Sequence, residues 1–251
     1  MIHNKYVQAW CVRGETGAII SSQHADVVQP GASLGKILVL IEVARGIVEG
    51  SYPAGHVLER PSPVADSGLW QHFDAQGFTI VDCCRLVGAV SDNMAANALI
   101  DFIGIEAVMV TREKYLPECE TLEIFDRVRD VREPQHPQEL SIGSTRDWSL
   151  VMHNLSVDAV ISPHVSHLVR DWLSLSTDHS LVLAPLCRDP LVSDVRHQFN
   201  KTGTDLHVRA DVGWVNISGR KLSYAACVSS VTSELDAMHF LRSIGDDLIT
   251  M

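Results

Sequence analysis

Residues 33–50, SLGKILVLIEVARGIVEG, set the reading of the chain. After Lys36 the apolar residues Ile37, Leu38, Leu40, Ile41, Ala44, Ile47 and Val48 recur at helical spacing, and Gly50 stops the pattern. Pro30 and Gly31 break the chain just upstream. The spacing predicts a helix over 37–48 with Ser33 in its first turn, where the helix dipole favours developing negative charge. Ser33 and Lys36, three residues apart, fall on one face of that turn. A serine hydroxyl needs an adjacent base to become a nucleophile, and a lysine crowded by a second cation can serve as one. Read alone, Ser33 is a helix N-cap more readily than a nucleophile.

Working outward, Tyr6–Arg13 and Ala18–Ser21 read as two strands flanking the hairpin signal Gly14-Glu15-Thr16-Gly17. Residues 51–78 are rich in Pro, Gly and Ser and read as loop. Thr79-Ile80-Val81-Asp82 resembles a capping box that starts a helix towards Val90. Met94–Ile103 is helical by its spacing and ends at Gly104, and a further helix is expected over Ile105–Leu116. Residues 117–143 are charged and lack a period, the pattern of a functional long loop. Ser144-Thr145 and Ser162-Pro163 offer N-caps for helices to Leu155 and about Leu175. The last third turns strand-like over Val195–Lys201, Leu206–Ile217 and Leu222–Ser229, with Gly219-Arg220 as a turn. Thr232 or Ser233 then caps a final helix with an apolar stripe through Leu235, Met238, Leu241, Ile244 and Leu248. Strands at both ends with helices between predict an α/β plus all-α fold. One antiparallel sheet is built from residues 1–30 and 190–251, and an all-helical domain is inserted over 31–189.

The chain has 251 residues, long enough for a sizeable core, with 46% hydrophobic and 20% charged residues. A net charge of −11 argues against a nucleic-acid partner, which calls for a basic footprint. Twelve His are scattered without metal-ligand spacing, so no metal and no cofactor is expected. Of the six Cys, none forms a C-x-x-C pair, and the adjacent Cys83 and Cys84 read as small buried hydrophobes. That usage favours a reducing compartment. The first residues lack a signal-peptide pattern, and the longest apolar stretch is too short to span a bilayer. As given, the chain reads as cytoplasmic, without a membrane partner.

Two more polar clusters complete the picture: Ser91-Asp92-Asn93 and Lys201-Thr202-Gly203-Thr204. Each alone is what turns and caps use. Functionally, Ser91 would relay a proton to a leaving nitrogen and Asn93 would bind a substrate carbonyl. Gly203 would let substrate approach a strand edge, and backbone N–H groups of Thr204 and Ser33 would form an oxyanion hole.

Taken together and in this order, Ser33-x-x-Lys36, Ser91-Asp92-Asn93 and Lys201-Thr202-Gly203 resemble the motif set of the class A β-lactamase and penicillin-binding-protein superfamily. Ser67-Gly68-Leu69-Trp70 is similar to the family's Gly-Ser-Gly-Ile-Leu turn. Cys84-Arg85-Leu86, the run Ser91–Asn97 and Ile103-Gly104 are similar to its second-motif helix pair. Ser144-Thr145-Arg146-Asp147-Trp148 resembles the helix start that follows its omega loop. The resemblance covers roughly residues 6 to 245. It implies a site between the sheet and the helices, with Ser33 acylated, Lys36 as base or proton relay and Ser91 as proton donor. Asn93 would hold an amide of the acyl side chain. Lys201 and Thr202, with Thr204 nearby, would hold a carboxylate of a small-molecule substrate, assisted by Arg209. An exposed strand arginine is the equal alternative for Arg209.

Two departures accompany the match. The family's lactamases carry a deacylating Glu in the omega loop. Phe125-Asp126-Arg127 matches its lead-in, but Arg129 or Asp130 stands at the Glu position. Glu133-Pro134 comes a few residues late, so Glu133 or, failing it, Asp130 is the candidate water-activating base, the alternative being that both are solvated loop charges and this base is absent. The family's first helix and an export signal are also missing or reduced. The expected activity is that of a serine acyl hydrolase cleaving an amide, a β-lactam first, through acyl-Ser33. A non-lactam hydrolase or acyltransferase and a non-catalytic ligand-binding descendant are the alternatives.

Overall fold

The computed structural model describes residues 7–65, 67–189 and 197–251. In chain order the elements are β1 (Val7–Arg13), β2 (Ile19–Gln23), β3 (Gln29–Pro30), a 3-10 turn (Ala32–Gly35) and α1 (Lys36–Val48). Then follow β4 (Val57–Glu59), β5 (Gly77–Thr79), α2 (Ile80–Val90), α3 (Asn93–Ile103) and α4 (Ile105–Tyr115). β6 (Glu123–Ile124), β7 (Ser141–Gly143), α5 (Thr145–Ser156) and α6 (Pro163–Leu173) complete the middle of the chain. The last elements are β8 (Gln198–Asp205), β9 (Val208–Ile217), β10 (Arg220–Ser229) and α7 (Glu234–Thr250).

The main sheet is antiparallel, in the order β2-β1-β10-β9-β8, so the two ends of the chain meet at its centre, where Val7 pairs with Ser229. Period-two alternation splits its side chains between two cores. On β10, Ala225 and Cys227 face the helical core, whereas Leu222, Tyr224, Ala226 and Val228 face the core under α7. The predicted architecture is therefore the observed one. The segment Leu181–Leu183 joins the core under α7, so the sheet layer draws on residues before the expected boundary at 189.

α1 is the axis of the helical layer. Ile37–Ala44 is buried without a break, and its six large aliphatic side chains contribute on the order of 10 kcal/mol as an upper bound. Glu42 is tolerated in that run because Arg45 pairs with it and the Tyr52 and Thr111 hydroxyls donate to it. Five helices start as local chemistry dictates. Thr79, Asp92, Ser144, Ser162 and Ser233 each accept a bond from the backbone N–H three residues on. The final cap is thus Ser233, and not Thr232.

Four expectations are corrected. The helix containing Lys36 does not include Ser33, which sits on the 3-10 turn ahead of it. The cap positions there are Gly31 and Gly35, neither with a side-chain cap bond, so Ser33 is not an N-cap. The strand expected to end at Lys201 runs on to Asp205, so of the two readings of Lys201–Thr204, turn and strand edge, the strand edge is the one observed. The expected loops 51–78 and 117–143 carry short strand pairs, β4 with β5 and β6 with β7, whose two or three residues leave no periodic signal. The expected strand starts at Tyr6 and Val195 lie outside the described residues, as does the question of a first helix.

Candidate active site

Ser33 is positioned by Ser141 on β7, a residue distant in sequence that packs against its turn. Gly31 N–H donates to Ser141 O (2.8 Å), Ser141 Oγ donates to Ala32 O (2.8 Å), and Gly35 N–H donates to Ser141 Oγ (3.2 Å). A Cβ on Gly35 would come within 2.6 Å of Ser141 Cβ, so glycine is what lets the two segments meet. Ala32 takes a left-handed conformation (φ 47°), a strained state for a residue with a Cβ that turns Ser33 towards the cleft. Among the described residues, no hydrogen bond engages Ser33 Oγ.

Beneath it the first and second motifs join. Lys36 is fully buried, and its Nζ lies 2.6 Å from Ser91 O, 2.7 Å from Asn93 Oδ1 and 3.3 Å from Ser91 Oγ. Ser91, also left-handed (φ 56°), ends α2 and swings its hydroxyl between two lysines. From the other side buried Lys201 donates to Ser91 Oγ (2.8 Å) and to Thr202 O (2.7 Å). Burial and then the Lys201 charge push Lys36 well below the ordinary lysine value, against a weaker opposing pull from Asp92. Burial brings Lys201 to about 8, against the stabilising charges of Asp178 and Asp211. The site therefore joins, through one shared hydroxyl, a lysine that loses its proton far more readily than usual and a second lysine whose pKa is brought to about 8.

Asp92 braces this arrangement. Its carboxylate caps α3 through Ala95 N–H and accepts from Leu69 and Trp70 N–H at 2.7 and 2.9 Å. Asn93 is buried with both ends of its amide engaged, Oδ1 by Lys36 and Nδ2 on Ala65 O (2.7 Å). It supports Lys36, and its side chain is not among those lining the cleft.

A cleft of about 170 Å3 opens over these groups, lined by Ser33, Ser67, Ser91, Asp178, Lys201, Thr202 and Thr204 among others. The structure thus brings Ser33, Ser91, Lys201, Thr202 and Thr204 to one space, with Lys36 beneath. Gly203 permits this: a Cβ there would sit 2.5 Å from Gly31 O. Arg209 lies across β8–β9 from Thr204, but its guanidinium is bound to Glu234 and to the Asp205 and Val208 carbonyls.

The proposed deacylating carboxylates are placed elsewhere. Glu133 is exposed, its carboxylate is taken by Gln135, and it does not line the cleft. Asp130 Oδ1 accepts from Ala65 N–H (2.7 Å), tying the loop to the segment that also holds Asn93. Buried Asn97 clamps both backbone groups of Val128 (2.8 and 2.9 Å), and the next residue, Arg129, pairs with Asp126. Sequence reasoning gave no role to Ser141 or Asp178. A lone Ser in a three-residue strand and an Asp after a helix end carry no signal of their own. Among the described residues, no group of three His, Cys, Asp or Glu is placed to hold a metal ion.

Known proteins place this geometry. The fold is similar to that of a β-lactamase from Sphaerobacter thermophilus DSM 20745, with a TM-score of 0.84 at 19% identity over 97% of this chain and 90% of that one. It is also similar to PBP-A in a mutant acyl-enzyme complex with penicillin G (TM-score 0.80, 19% identity, 98% and 89% covered). An ancestral class A β-lactamase gives 0.81 at 20% identity, with 97% and 94% covered. Curated protein sequences give no match. Residues 2–250 match the profile of the β-lactamase enzyme family, and the chain belongs to that family of serine hydrolases acting on amides.

Proposed function

We propose that this protein opens an amide, a β-lactam being the first candidate, by forming an ester with Ser33, and that it releases the acyl group slowly. The observation that carries this reading is the buried chain Lys36–Ser91–Lys201 beside Ser33. In it Lys36, its pKa lowered by burial and by the Lys201 charge, draws the Ser33 proton directly or through Ser91. Ser91 passes a proton to the departing nitrogen, and the cationic Lys201 keeps the Ser91 oxygen in place. The backbone N–H groups of Ser33 and Thr204 are the proposed oxyanion donors.

Slow release is supported by the loop. Arg129 occupies the position after the Asn97-clamped Val128, and Glu133 is solvent-facing. This favours acyl transfer, or a long-lived acyl-enzyme, over rapid lactam turnover. Intact-mass measurement with a fluorophosphonate and with a penicillin tests the reading. A single adduct that disappears in Ser33→Ala is expected; adduct-free protein with both probes would leave only a non-catalytic ligand-binding role. Nitrocefin turnover should be slow and unchanged in Glu133→Gln. Rapid turnover lost in that variant would restore Glu133 as the base.

A further inference from the structure

The corner formed by Lys201 and Thr202 is where a substrate carboxylate would be held, yet the protein places a carboxylate of its own there. Asp178 lines the same cleft as Ser33, Lys201 and Thr202. It is fixed rather than free to swing away. Ser180 donates to its Oδ1 through both N–H (3.1 Å) and Oγ (2.6 Å), and Asn200, the neighbour of Lys201, donates to its backbone carbonyl (3.1 Å).

Burial alone would raise the Asp178 pKa. Bonds from the Ser180 and Thr202 side chains and from Ser180 N–H, with the Lys201 charge, outweigh it and hold the group below its ordinary value. The acid is therefore ionised at neutral pH and already balances the Lys201 cation. Arg209, across the strand pair from Thr204, is balanced in the same way by Glu234. An entering carboxylate would meet a fixed like charge at a cation that already faces Asp178. A primary carboxamide meets the same corner in complement. Its oxygen accepts from Lys201, and its NH2 donates to Asp178, while Thr202 keeps its hydroxyl proton on the same carboxylate.

We propose that Asp178 is a specificity-determining residue that excludes a carboxylate from the Lys201–Thr202 corner and selects a substrate bearing an uncharged hydrogen-bond donor, such as a carboxamide, at that place. This rests on Ser33 being the acylated nucleophile.

The test compares acylation of Ser33 by one penicillin as the free acid and as its carboxamide, timed by intact mass. It uses the wild-type protein and Asp178→Asn, with a fluorophosphonate as a probe lacking either group. The wild type is expected to take the carboxamide about tenfold faster than the acid, and Asp178→Asn to erase at least that preference, as removal of a repulsive element does. The fluorophosphonate rate of each protein, which carries any change in Lys201 once the Asp178 charge is gone, is the reference to which its two penicillin rates are scaled. A wild type that prefers the acid overturns the proposal whatever the variant does. So does an unchanged ratio in Asp178→Asn, or failure of both penicillins while the fluorophosphonate labels Ser33. Failure of the fluorophosphonate itself to label Ser33 removes the nucleophile reading beneath the proposal, and the proposal with it.

Discussion

Lys36 Nζ meets three oxygens, but a neutral amine has only two N–H groups and one lone pair. All three contacts are donations from Lys36 Nζ, to Ser91 O, Asn93 Oδ1 and, at 3.3 Å, Ser91 Oγ. When the amine gives up a proton, the longest contact is the one to reverse, with the lone pair facing the Ser91 hydroxyl. Ser91 Oγ then accepts from Lys201, so every proton in the chain has a place. This assignment makes a prediction about pH. Labelling of Ser33 should rise with pH as Lys36 passes its lowered pKa, and fall above about 8 as Lys201 loses its charge. Fluorophosphonate labelling rates measured from about pH 5 to about pH 10 check this, and a rate still climbing at the upper limit counts against it. Ser141 supplies a second case at this scale. Its hydroxyl both donates to Ala32 O and accepts from Gly35 N–H, so Ser141→Ala removes two buried bonds that hold the turn. A loss of roughly 1–3 kcal/mol in denaturant unfolding is expected, with slower labelling of Ser33 as its turn loosens.

Between elements, close approaches carry the geometry. Gly203 lets β8 lie against the Gly31 carbonyl, and a methyl there pushes Lys201 and Thr202 away from Ser33. Gly203→Ala should cost about 1–3 kcal/mol in thermal or chemical unfolding and slow labelling by far more than that loss explains. Asp211 ties the sheet to the segment before β8, accepting from Val182 N–H, Asn200 Nδ2 and Tyr224 Oη. Asp211→Ala strands three buried donors, and a loss of about 3 kcal/mol or more is expected in the same measurement. At this scale much of the fold is legible in the sequence, because helix starts are local. Thr79, Ser144, Ser162 and Ser233 announce helices by a chemistry confined to one turn. The four long strands on β1 and β8–β10 show through period-two alternation. The 3-10 turn at Ser33 is not legible, since it is imposed by Ser141, which is distant in sequence. Nor is Asp178, whose meaning depends on which cation the fold sets beside it.

For the whole molecule, the residues proposed to react come from both layers: Ser33, Lys36 and Ser91 from the helical side, Lys201 and Thr202 from the sheet. The sheet is completed by pairing β1 with β10, the most distant strands in the chain. A polypeptide ending at residue 217 keeps every one of those reactive residues yet lacks the partner that joins β1 to β9. It is expected to show no fluorophosphonate adduct at Ser33, whereas an adduct at the full-length rate would mean that the helical layer and β8 suffice. The central pairing has a further consequence in time. A pairing of such sequence separation is slow to form and waits for the last part of the chain to be made. Until then Lys36 has its partners on the helical side, but the sheet that seats Lys201 against the Ser91 hydroxyl is incomplete. The serine is therefore expected to gain its full reactivity only when β10 closes between β1 and β9.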